Sequence, residues 1–83
     1  MNPEAIRQQL TLAERHIHSG EHRIARLHEL ASLLIFSGIG ATDVMARLEQ
    51  EERQQEMRKM DRGRLLAMLA WYERAEKDKP ILV

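Results

Sequence analysis

The chain has 83 residues, no cysteine, and thirteen basic side chains balanced by thirteen acidic ones. That length holds a single domain with one modest core, since a domain of this size buries only about 60% of the surface its unfolded chain exposes. The lack of cysteine excludes a disulfide staple, a thiolate metal site and a thiol nucleophile, and the charge balance removes any global attraction to nucleic acid or an anionic membrane.

At the N-terminus, MNPEAIRQQL is polar and has no apolar segment of secretory type. The longest uncharged run, Leu30 to Thr42, falls far short of the ~20 residues a membrane-spanning helix requires. The expectation is a soluble, cytoplasmic protein. Asn2 and Pro3 make a helix start, a good N-cap followed by the residue best tolerated at the first helical position, and Glu4 sits where the helix dipole favours it. Apolar or small residues then recur at Ile6, Leu10, Ala13, Ile17, Gly20, Ile24, Leu27, Ala31 and Leu34, alternating steps of four and three. This is a heptad seam of the coiled-coil kind, and it predicts a helix over residues 3–37. Ser19-Gly20 interrupts it at about 1 kcal/mol relative to alanine, which points to a close helix contact or a mild bend.

Gly38-Ile39-Gly40 supplies left-handed positions for a turn over residues 38–41, and Thr42 or Asp43 is suited to cap a second helix. That helix is expected over 43–76, with Pro80 marking the end of helical sequence and residues 77–83 as a tail whose Ile81, Leu82 and Val83 suit docking on a partner. Its pattern is less regular: Val44, Met45 and Leu48 begin a stripe, residues 49–64 are largely charged, and residues 65–72 are apolar on nearly every side. The expected fold is all-α, a long antiparallel two-helix hairpin. Closed around residue 40, it brings Leu34 near Met45, Ala31 near Leu48, and Leu10 near Leu69 and Ala70. In the middle it sets Ile24 and Leu27 against Glu52, Arg53, Gln55 and Glu56.

A two-helix rod of this length cannot bury all its apolar surface, so the reading extends to a homodimer in which two hairpins form a four-helix bundle. The expected interaction surface comprises Ile24 and Leu27, the tip residues Leu33, Leu34, Ile35 and Phe36, and a stripe of Met57, Met60, Met68 and Trp71 away from the Leu48, Leu66 and Leu69 face. Glu49, Glu51, Glu52 and Glu56 precede Arg58, Lys59, Arg62 and Arg64, an order that lets two such helices pair acidic with basic block when antiparallel. A free monomer and a groove for an unidentified second protein are the competing arrangements.

Three kinds of chemistry compete with this structural role. His18 and His22 share a helix face at the spacing of a two-histidine metal site, with Asp61 as a third ligand in the antiparallel register, but zinc usually takes three or four protein ligands. Solvated histidines are the expectation, with no metal and no cofactor. Arg58, Lys59, Arg62 and Arg64, followed by Trp71 and Tyr72, offer phosphate contacts and a stacking platform, which makes a nucleic-acid-associated regulator the alternative function. Asp61 and the preceding glutamates favour a solvated charged face instead. No glycine-rich phosphate loop follows a strand, and a two-helix rod offers no water-excluding pocket, so no enzyme activity is expected.

LAERHIHSGEHRIARLHEL and, after the turn, ARLEQEERQQEMRKMDRGRLL resemble small uncharacterised bacterial helical-hairpin proteins. These carry a helix of the pattern RHIxxGExRIARxxEL, a glycine turn, and a helix ending DRxRLL. The resemblance spans about residues 11 to 66 and implies a hairpin fold with no known activity.

Overall fold

A computed structural model of the chain describes residues 2–77 as two helices, α1 from Pro3–Phe36 and α2 from Thr42–Lys77, packed antiparallel as a hairpin. Helices of 34 and 36 residues at about 1.5 Å per residue make it a rod about 50 Å long and 16 × 15 Å across, rather than a ball. The tail beyond Lys77, and with it Ile81 to Val83, lies outside the described residues.

Local chemistry accounts for both ends of α1. The Asn2 side chain accepts a hydrogen bond from the Ala5 N–H at 2.8 Å, satisfying one of the donors that a helix start leaves over, and Pro3 follows at the first turn. At the other end the Gly38 N–H donates to the Ile35 carbonyl at 3.1 Å and the Ile39 N–H to the Leu34 carbonyl at 2.9 Å. Those paired bonds form a Schellman cap, and they require the positive φ of 74° that Gly38 adopts without steric cost. In α2, Thr42 and Asp43 are already helical, and the first bond runs from the Met45 N–H to the Ala41 carbonyl at 2.9 Å. Ala41 therefore precedes the helix, rather than Thr42 or Asp43 capping it.

The α1 seam is buried or half-buried at every position from Ile6 to Leu34. Its partner runs through Ala41 just before α2 and then Val44, Leu48, Glu51, Gln55, Arg58, Arg62, Leu65, Leu69 and Tyr72 on α2, again in steps of three and four, and all of these are buried or half-buried. Gly20 lies against Gln55, which fixes the register. Each step along α1 is then matched by a step back along α2, so Ile24 is level with Glu51, Leu27 with Leu48, Ala31 with Val44, and Leu10 with Leu65. The ion pairs Arg7–Glu73 and His28–Glu52 cross the hairpin at the register expected from the turn. Met45 and Ala70 point outward, and Val44 takes the inward place expected for Met45.

The core is thin. Among the described residues its buried apolar members are Ile6, Ile17, Ala31 and Leu48, of which Ile6 is fully enclosed, and the chain exposes 6783 Å². A globular protein of 9.7 kDa exposes about 5,100 Å², so the rod leaves an excess of roughly 1,700 Å².

Candidate interaction surface

Midway along the hairpin the apolar seam of α1 meets polar side chains of α2, and a connected network resolves the conflict. The buried Gln55 amide donates to the Ile17 carbonyl at 2.7 Å, and its oxygen accepts from Arg58 Nη1 at 2.9 Å. Arg58 reaches on toward Glu51 at 4.0 Å, and Glu51 also accepts from Arg23 Nε at 3.4 Å. Gly20 makes room for this, since a Cβ there would overlap the Gln55 side chain and lie 2.7 Å from Arg58 Nη1. Among the described residues no buried side-chain nitrogen or oxygen lacks a partner. Arg58 and Arg62 also lay their methylene stems along the seam, each side chain being two-thirds or more covered. The expected exposure of Ile24 and Leu27 opposite charged residues is thereby corrected: both are half-buried within the chain's own seam, as is Leu34.

Residues flanking the seam fall into rows seven apart, which give the rod two unlike broad faces. One carries the ion pairs Arg7–Glu73 at 3.7 Å, Glu14–Arg62 at 3.6 Å and His28–Glu52 at 3.4 Å. The other carries two inter-helix grooves. The larger, about 440 Å³, has Leu27, Leu30 and Val44 among its lining and Arg23, Arg26 and Arg47 with Asp43 at its edges; the second lies between Leu12 and His16 on α1 and Asp61 and Arg64 on α2.

Large apolar side chains outside the seam gather in two places. At the turn end Leu33, Ile35 and Ile39 are exposed and Phe36 is 92% exposed; along α2, Met57, Met60 and Trp71 are each more than 60% exposed. Met68, expected in the same stripe, is half-buried, and Leu66, expected on the inner face, is 49% exposed. Leu12, Leu30 and Met45 are further exposed members that the sequence reading missed. For Leu12 the signal was available, because it falls between the seam positions Leu10 and Ala13.

The other candidate chemistries fare differently. His18 and His22 do come together, with their Nε2 atoms 3.2 Å apart and rings edge to face. Asp61 does not join them, since it lines the second groove with His16 on the far side of the seam. No group of three or more metal-ligating residues forms among the described residues. Of the four basic residues read as phosphate contacts, Arg58 and Arg62 are engaged inside the hairpin, Arg64 is 3.6 Å from Asp61, and Lys59 is exposed. They form no continuous basic surface. No described helix is long and apolar enough to cross a membrane. No protein-family model matches the chain, and comparison with curated proteins and with solved structures gives no match either.

Proposed function

We propose that the chain is a protein-interaction module without catalytic activity of its own, and that its first partner is another copy of itself. The observation that carries this reading is the imbalance of apolar surface: Leu33, Ile35, Phe36, Ile39, Met57, Met60 and Trp71 are all at least 60% exposed, while among the described residues the buried apolar side chains are Ile6, Ile17, Ala31 and Leu48. Exposed apolar side chains gathered at the turn end and along α2 in this way mark interaction sites. A second helical hairpin covers it with the least new structure, in a four-helix bundle.

Light scattering and sedimentation equilibrium across a concentration series test the reading. The expected result is a dimer that dissociates on dilution, with Met57→Glu combined with Trp71→Glu weakening association at least about tenfold, as burial of uncompensated charge at an interface requires. A monomeric mass at every concentration, unchanged by the double substitution, overturns it.

A further inference from the structure

We infer that the second copy packs on the grooved face end over end, with the two-fold axis crossing the rod at Gln54. This rests on the self-association proposed above and adds which face is used and in what orientation. The ion-paired face holds the inter-helix pairs Arg7–Glu73, Glu14–Arg62 and His28–Glu52; on the grooved face Arg64–Asp61 and Arg23–Glu51 pair within the chain, and Arg47, Arg26 and Asp43 have no ion-pair partner among the described residues. The grooved face is the more apolar, carrying Leu12, Leu30, Leu33, Met57 and Trp71, all exposed. It is also its own complement.

Arg47, Gln54 and Asp61 form one row on α2, with Gln54 midway and the two charges seven residues, about 10.5 Å, to either side. Turning a copy end over end about Gln54 sets Arg47 over the partner's Asp61 and Asp61 over the partner's Arg47. The same rotation brings Asp43 level with the partner's Arg64, because these lie eleven residues before and ten residues after Gln54. On α1 the level matching Gln54 is Glu21, and Leu12 and Leu30 stand nine residues to either side of it. Each therefore meets the other's counterpart across the axis. Met68 and Trp71 come level with the partner's turn, where Ile39 is exposed. One cation, Arg26, finds no anion, falling level with His16. Arg47 makes no ion pair within the chain among the described residues, so it is available to the partner.

The area fits as well. A face 16 Å across and about 50 Å long covers about 800 Å², the share one chain gives to a standard interface. An isologous contact of this kind closes at two copies and leaves the turn tips at opposite ends of the bundle.

Because the chain has no cysteine, a single Gln54→Cys substitution gives a direct test. Mild oxidation is expected to convert most of that variant to a disulfide-linked dimer on a non-reducing gel, while Glu56→Cys, on the other side of α2, stays a single chain. Arg47→Asp alone is expected to weaken association at least about tenfold, and adding Asp61→Arg to recover most of that loss, since the swap re-creates both pairs across the axis while giving up the exposed Asp61–Arg64 pair within the chain. Helical circular dichroism of each variant confirms that it folds. A dimer by light scattering in which Gln54→Cys does not cross-link, or in which the double swap fails to restore binding, overturns the end-over-end geometry and leaves self-association standing. A monomer at all concentrations overturns both.

Discussion

Gly20 and Gln55 are the pair on which the register turns. Alanine at position 20 gains about 1 kcal/mol of helix propensity. Its methyl, however, enters the space of the Gln55 side chain, whose Cδ lies 2.9 Å from the built position. Displacing Gln55 forfeits its buried bond to the Ile17 carbonyl, at a cost of about 1–3 kcal/mol. Gly20→Ala is therefore expected to lower stability by about 1 kcal/mol in the native background and to raise it by up to about 1 kcal/mol when Gln55 is also alanine. Urea unfolding followed by circular dichroism at fixed protein concentration measures both. Equal effects in the two backgrounds would show that the Gly20–Gln55 contact is not the cause. The first turn of α1 carries a simpler expectation: Asn2→Ala removes the acceptor for the Ala5 N–H and should cost about 1 kcal/mol in the same assay.

The two helices differ in how openly their packing is written. The seam of α1 is apolar or small throughout, so its heptad spacing is visible in the residue types. The seam of α2 has the same spacing but is filled by Glu51, Gln55, Arg58 and Arg62 in its middle, and residues of those types ordinarily face water. They are tolerated here because Gln55 has its amide partnered, Arg58 and Glu51 lie 4.0 Å apart, and the arginine stems cover apolar surface. Arg58→Glu should accordingly act on folding: it strips the Gln55 oxygen of its donor and sets a carboxylate beside Glu51, lowering stability by about 1–3 kcal/mol in urea unfolding. Lys59→Glu with Arg64→Glu, both on the surface, should change stability by no more than about 0.5 kcal/mol. That second variant is the one able to separate loss of a nucleic-acid contact from loss of the fold.

A rod with four buried apolar side chains among its described residues has little stability of its own in reserve. Its inter-helix ion pairs are largely exposed and contribute about 0–1 kcal/mol each, so they do not make up the difference. If association covers the grooved face, folding and dimerisation are linked, and the melting temperature should rise by several degrees as protein concentration increases from about 1 to 100 µM. A melting temperature independent of concentration over that range would place the stability inside the single chain. Raising salt should move it little.

Local rules were enough for the helices, the turn and the N-terminal cap, because N-caps, left-handed glycine and heptad spacing act over a few residues and leave their mark in residue identity. The same rules singled out Met57, Met60, Trp71 and Phe36 as apolar residues standing off the seam. Packing between the helices settled the rest. Which of the α2 charges turn inward and which row of α2 faces α1 both depend on the fit of Gln55 over a residue with no side chain. That fit brings together positions 35 residues apart, and no local pattern records it.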